Sequence, residues 1–391
     1  MTSTGRNVAV LAACQAMLFS SSSTLASING LAGMALTKNP AFGTLPVTTW
    51  VLGGAIATLP ASFYMKRAGR TQGLVAGAAT GIAAALICAL AIGTHSFWLL
   101  CFGTLVFGAS NATGQYYRFA AADVSPADYK ARAISLVLAG GLLGGIIGPG
   151  MSRFSVDALS ERFMGAYLVL ILFSVVTIGL LSATRIPNPT AEEKAGGGRP
   201  LREIARQPKF IVAVLAGAVG YGVMNLLMTA TPIAMGLCGH PFGDAAFVIS
   251  SHVIAMFAPS LVAGSLIKRF GVLKIILTGA VLNVACIGVA LGGVDVAHFW
   301  LSLVLLGVGW NFMYIGGTTL LTETYRPEEK AKAQGTNDMC IFVMMVISSL
   351  TSGMLVTGAG WEKVNLLAMP LLAVVFAATL WLAFRRERMA A

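Results

Sequence analysis

An all-α integral membrane fold, twelve transmembrane helices in two pseudo-symmetric six-helix halves, is predicted by three observations. The 391 residues are 57% hydrophobic and only 10% charged, with a mean hydropathy of +0.80, a composition outside the range of ordinary soluble domains. The apolar residues gather in runs of about 20 or more, the length that crosses a hydrocarbon core of ~30 Å as a helix. Motifs of the first half return about 200 residues later in the second.

The runs cover approximately 8–35, 44–65, 72–94, 97–118, 132–155, 163–184, 210–237, 244–267, 273–295, 297–320, 333–358 and 364–384. A single Arg6 precedes the first run, which is long and lacks a small-residue cleavage site, so a retained span is expected in place of a signal peptide. Between the sixth and seventh runs the composition changes to Pro187, Pro189, Glu192, Glu193, Gly196 to Gly198 and Pro200. That change predicts a cytoplasmic linker over 186–209 joining a half at 1–185 to a half at 210–391.

The net charge of +11 is topological. Of the 26 Lys and Arg, 22 fall on the side that holds both termini and the linker, and four (Lys38, Arg153, Arg162 and Lys363) fall on the other. This positive-inside bias places both termini in the cytoplasm and removes the need for a nucleic-acid partner. The six cysteines, Cys14, Cys88, Cys101, Cys238, Cys286 and Cys340, lie in or at the ends of apolar runs without a C-x-x-C pair, so neither a disulfide framework nor a zinc cluster is expected. The Ser/His/Asp order, phosphate loop and paired carboxylates of an enzyme do not stand out at membrane depth, and no prosthetic group is expected.

The repeat is carried by loops. Lys66-Arg67-Ala68-Gly69-Arg70 follows the second span and Lys268-Arg269-Phe270-Gly271 follows the eighth. Asp123, Pro126 and Lys130-Ala131-Arg132-Ala133 follow the fourth, and Glu323, Pro327 and Lys330-Ala331-Lys332-Ala333 follow the tenth. Twelve spans, a central linker and this repeat resemble the major facilitator superfamily over the whole chain. The basic turn resembles that superfamily's loop motif, with Tyr64 and Met65 standing where an acidic residue usually precedes it. The resemblance implies a cytoplasmic latch, with Arg67 and Arg70 facing Asp123 and Lys268 or Arg269 facing Glu323; topology-setting charge is the alternative role for each. It also implies alternating access about spans 1, 4, 7 and 10.

Three spans carry unusual residues. Span 5 holds Gly140, Gly141, Gly144, Gly145, Gly148, Pro149 and Gly150, predicting a close, bent helix contact, and partly resembles a motif of superfamily antiporters. Span 4 ends in Asn111, Gln115, Tyr116, Tyr117 and Arg118, a polar and aromatic run suited to an organic ligand. Span 11 holds Asp338, Met339, Cys340, Met344 and Met345. Asp338, about six residues inside the span, is a candidate coupling carboxylate, an inner relay ligand with Cys340 and Met344, or a partly buried acid solvated from the cytoplasm.

Spans 7 and 8 carry Met224 and Met228, then His252 and Met256, each pair at i, i+4. Counting at ~1.5 Å per residue from the turn between the spans places Met228 and His252 at ~12 to 14 Å, and Met224 and Met256 at ~18 to 20 Å. Neutral thioether and imidazole donors favour Cu(I) over harder ions, whereas core filling is the other use of such methionines. Near the turn, Cys238, Met235 and His240 form a candidate accessory relay, against a buried Cys beside a loop His. These motifs resemble the CcoA-type copper importers of the bacterial inner membrane. The resemblance implies Met224 and His252 as primary ligands supported by Met228 and Met256, and Cu(I) as cargo. It further implies supply of copper to cbb3-type oxidase assembly, a cytoplasmic copper chaperone as partner, and a monomer in the lipid bilayer. The competing expectation is a carrier of a planar vitamin such as riboflavin, motivated by the polar, aromatic end of span 4.

Overall fold

A computed structural model describes residues 3–39, 42–184, 186–188, 190 and 198–390. Its helices are α1 (Ser3–Leu36), α2 (Leu45–Ala68), α3 (Arg70–Gly93), α4 (Phe97–Gly114), α5 (Tyr117–Asp123), α6 (Lys130–Ser155), α7 (Met164–Ser182) and the short α8 (Leu201–Ala205). They continue as α9 (Pro208–Leu237), α10 (Phe242–Phe257), α11 (Ser260–Phe270), α12 (Val272–Leu291), α13 (Val296–Leu321), α14 (Lys330–Ala359) and α15 (Trp361–Ala390). Among the described residues there is no strand. Among the described residues eleven helices are long and apolar enough to cross a membrane, and α10 with α11, bent by 42°, brings the number to twelve when the pair is taken as one span. Of the expected linker, Pro189 and residues 191–197 lie outside the described residues, as does Arg185.

Local chemistry sets the boundaries. Gly69 and Gly271, which end the two copies of the basic turn, sit at φ of 103° and 89° and donate their N–H groups to the Met65 and Ile267 carbonyls. A left-handed residue is needed for the reversal between α2 and α3 and between α11 and α12, and glycine takes it without steric cost. Pro259 explains the break between α10 and α11, because it has no N–H to donate and its ring bars a continuous helix. Asn311 of α13 satisfies the freed backbone, donating from Nδ2 to the Met256 carbonyl at 2.6 Å and to Ser260 Oγ at 2.5 Å.

The chain forms two compact units. The first contains the described residues of Met1–Ala127, Leu136–Gly197 and Pro327–Phe342. Here α2 and α3 pack on α4, and α1 and α3 pack on α7, around a core that includes Leu25, Ile28, Phe107, Tyr167, Leu170 and Phe173. The glycines of span 5 do form a seam: a Cβ at Gly140, Gly144 or Gly148 would strike the backbone of α1 near Ala12, Ala16 or Ser20. Ser23 and Thr24 bond across that seam to the Gly144 and Gly148 carbonyls, both at 3.1 Å.

The second unit contains the described residues of Asp128–Ser135, Gly198–Arg326 and Val343–Ala391. Helices α9, α10 and α12 pack on α13, and α15 packs on α9 and α12. A Cβ at Gly307 of α13 would meet the His252 carbonyl oxygen and the Met256 nitrogen of α10 at 2.9 Å, so these helices touch backbone to backbone.

Candidate functional site

The first unit gathers charge at the end where α2 turns into α3. Arg70 donates from Nε at 3.2 Å and Nη2 at 3.0 Å to Asp123 Oδ2, and from Nη2 to Gln334 Oε1 at 2.8 Å. The other Asp123 oxygen lies 3.1 Å from Lys330 Nζ, and Lys66 Nζ donates to the Glu328 carbonyl at 3.2 Å. Of the two arginines expected to face Asp123, Arg70 does so, while Arg67 is exposed.

A second, deeper pair lies one helical turn further along α14. Lys330, Gln334 and Asp338 recur every four residues and therefore share one face of the helix. Asp338 Oδ1 accepts from Arg118 Nη2 and from Asn337 Nδ2, the latter at 2.8 Å. Arg118 also donates from Nη1 to the Gln115 carbonyl at 2.8 Å and stands 4.4 Å above the Phe119 ring. The expectation of a partly buried, solvated Asp338 is corrected: Arg118 and Asp338 are 1% and 2% exposed. Helix α5 and the Gln115–Tyr116 turn close over the carboxylate, with Tyr116 itself buried and bonded from its hydroxyl to the Thr58 carbonyl at 3.1 Å. Arg118 is the functional candidate that the sequence underweighted. The readable signal was the polar stripe at 330, 334 and 338 in an otherwise apolar helix.

In the second unit the expected pairing of Lys268 or Arg269 with Glu323 gives way to other partners. Lys268 reaches Asp128 at 3.3 Å, Glu323 reaches Lys209 at 2.9 Å, and Arg269 stacks over Phe270 at 5.1 Å. Asp128 in the segment at 128–135 and Lys209 at the start of α9 supply these partners.

His252 is fully buried and turned toward α13, its Nδ1 sharing a 2.7 Å hydrogen bond with the Leu303 carbonyl. Met224 and Met256 are buried and Met228 is half-buried. Around the relay proposed near the turn, Met235 is buried, Cys238 is exposed, and His240 Nε2 lies 2.7 Å from the Val294 carbonyl. Cys340 is half-buried, and Met344 lies over Gly222 of α9.

The second unit also holds an aromatic cluster. Trp310 and Tyr314 of α13 are stacked at 5.1 Å with 18° between their planes. Tyr221 of α9 meets both edge-on, at 5.1 and 5.2 Å, and Phe257 meets Trp310 at 5.8 Å. Trp310 and Tyr314 are buried, while Tyr221 is half-buried on the same face of α9 as the half-buried Asn225 and Met228. Asn225 is fixed from α14 by the Met345 carbonyl at 3.2 Å and Ser348 Oγ at 2.9 Å. The cluster thus presents a rigid aromatic edge beside an amide and a thioether, which suits a flat, heteroatom-bearing ring.

Comparison with known proteins supplies the family. The model of the Major Facilitator Superfamily matches residues 11–258 and 226–390. The riboflavin transporter RfnT of Brucella anthropi is 42% identical over 96% of this chain and 95% of its own length. The MFS-type transporter YddS of Bacillus subtilis is 30% identical over 88% of this chain and 82% of its own. Among solved structures, the transporter FucP in its outward conformation aligns over 96% of this chain and 98% of that one, with TM-score 0.79 and 16% identity. The human organic anion transporter MFSD10 aligns over 96% and 99%, with TM-score 0.79 and 12% identity. The full-length likeness to a riboflavin transporter overturns the expectation of Cu(I) import for cbb3-type oxidase assembly. The relatives give no support to the copper ion or the copper chaperone as partners, and Met224, Met228, His252 and Met256 were expected as ligands of that cargo. What remains, a multi-pass membrane protein of twelve helical spans with a repeated loop motif and a full-length family match, belongs to the Major Facilitator Superfamily of transporters.

Proposed function

We propose that this chain carries a planar organic solute of riboflavin's kind across the bacterial inner membrane, its two six-helix halves alternating about the linker. The observation that carries the proposal is the 42% identity to a riboflavin transporter across 96% of the chain. The aromatic cluster supports it. A flavin-type ring offers two apolar faces and a polar rim, and Tyr221 supplies an edge-braced aromatic partner for such a face. The buried indole N–H of Trp310, which has no acceptor among the described residues, is a candidate donor for the rim. Aromatic pairing contributes ~0.5–1.5 kcal/mol beyond buried area, the modest affinity a carrier needs in order to release its cargo. With 22 basic residues on the linker side, both termini face the cytoplasm under this proposal.

The test is uptake of radiolabelled riboflavin by a riboflavin auxotroph that lacks its own carrier. The wild-type chain restores uptake. Tyr221→Ala weakens it by up to about tenfold in apparent affinity, the equivalent of ~1.4 kcal/mol, and Tyr221→Phe retains most of it. Uptake no greater than that of cells with an empty vector overturns the proposal.

A further inference from the structure

Each of the four asparagines in the second unit leaves its amide oxygen without a hydrogen-bond partner among the described residues. Asn283, Asn311 and Asn365 are fully buried, so their oxygens meet only protein. Asn225 of α9 is half-buried, and it shares its face with the half-buried Tyr221 one turn earlier. Chemistry fixes the direction of its amide. The Met345 carbonyl, 3.2 Å away, has no hydrogen to give, so the amide nitrogen must face it. Ser348 Oγ donates its own hydrogen to that same carbonyl at 3.1 Å and accepts the second amide hydrogen at 2.9 Å. Both hydrogens of Nδ2 are therefore held by α14, and Oδ1 is turned away from that helix.

We infer that Asn225 is a specificity-determining residue whose Oδ1 accepts the ring N–H of the solute. The inference rests on the planar-solute reading above and names the atom of the solute that is recognised. An oxidised flavin ring carries a single N–H, at N3 between two carbonyls, and its other ring nitrogens bear no hydrogen. An amide locked to show only its oxygen therefore has one partner on that ring. An amide free to turn over could donate as well as accept, and would not tell the N–H from a carbonyl. The hydroxyls of a ribityl chain both donate and accept, so they would suit either end of an amide and call for no lock. Tyr221 braces the ring from the same face, since residues four apart on a helix hold their Cβ atoms ~5–6 Å from each other, within the width of a three-ring solute.

An uncharged acceptor suits a carrier. One neutral N–H···O=C bond gives a preference of about tenfold in apparent affinity, enough to select a cargo and weak enough to release it. A ring with a methyl group in place of that hydrogen loses the bond and leaves Oδ1 unpaired. Replacing Asn225 leaves α14 intact, because the Ser348 hydroxyl keeps its own bond to the Met345 carbonyl.

The test is uptake of radiolabelled riboflavin by auxotroph cells carrying the full chain, with unlabelled riboflavin or N3-methylriboflavin as competitor. The quantity read is the ratio of the two inhibitory concentrations, in which differences of expression cancel. In the wild type the N3-methyl compound competes about tenfold less well. Asn225→Leu, which keeps a branched side chain, and Asn225→Ala, which opens space, both erase that difference; exclusion of the methyl group by bulk alone would leave it standing in the leucine variant. Ser348→Ala, which releases one amide hydrogen, gives an intermediate ratio and carries the comparison if the Asn225 variants move too little solute to measure. Equal competition in the wild type overturns the inference and leaves riboflavin as the cargo. So does a wild-type ratio in both Asn225 variants, or in Ser348→Ala where those two do not transport. A wild-type chain that moves no riboflavin refutes the solute assignment itself, and the inference falls with it.

Discussion

Arg70 joins three elements through one guanidinium. It bridges Asp123 at the end of α5 and Gln334 of α14, and its Nη1 lies 3.6 Å from Met65 Sδ of α2. A lysine carries the same charge as a compact point and cannot span two partners in a plane. Arg70→Lys is therefore expected to cost ~1.5–3 kcal/mol, the loss of a charged hydrogen bond, and to appear as a lower unfolding temperature in detergent. A wild-type unfolding temperature in that variant would mean that Lys330 alone holds Asp123. His252 is the opposite case. Its bond to Leu303 lies inside the second unit, so His252→Leu should cost about 1 kcal/mol of stability and leave cellular copper the same as in cells carrying the wild-type chain, as measured by elemental analysis. The sequence made the depth of His252 legible, because rise per residue is fixed, but not its direction. Helical spacing tells which residues share a face of one helix and is silent on which neighbour that face meets. The Leu303 carbonyl is 51 residues away. The same silence hid Arg118 from Asp338, 220 residues apart, although the stripe on α14 was there to be read.

Helices in this protein meet through glycine, and the seam between α6 and α1 can be tested within a single element. A Cβ at Gly144 would lie 2.6 Å from the Ala16 carbonyl oxygen and 2.8 Å from the Ser20 nitrogen, both backbone atoms, whereas nothing stands within 4 Å of one at Gly150. Gly144→Val should destabilise by ~1–3 kcal/mol through overpacking. Gly150→Ala should be neutral or raise stability by up to ~1 kcal/mol, since alanine is the better helix former. Thermal unfolding of the two variants side by side measures this, and equal losses would show that glycine's flexibility, and not its size, matters in span 5. The glycine periodicity of this span was legible as a packing seam; that α1 is the partner was not. Span 8, read as one run over 244–267, is broken at Pro259, a residue whose missing N–H is a readable signal. The Gln115–Tyr116 break of span 4 follows Gly114, a weaker marker, and Tyr116 at the break is buried with its hydroxyl on the Thr58 carbonyl.

At the scale of the whole molecule, the twelve-span architecture was legible because length and hydropathy leave few alternatives in a bilayer. The cargo was not, since a shared scaffold carries many solutes and two Met/His motifs serve packing as well as ligation. Sidedness rests on the distribution of 26 basic residues, and cysteine chemistry gives it a direct test. Cys238 is exposed just beyond the end of α9, the end remote from Pro208 and the linker. Cys14, Cys88, Cys101 and Cys286 are buried, and Cys340 is half-buried inside α14. If the basic side faces the cytoplasm, a membrane-impermeant maleimide added to intact cells modifies Cys238 rapidly, and Cys238→Ser removes that signal. Thiols inside the spans stay slow in both proteins, because the thiolate that reacts is disfavoured away from water. Labelling of Cys238 in inverted vesicles alone would place the termini outside and reverse the direction assigned to every basic loop.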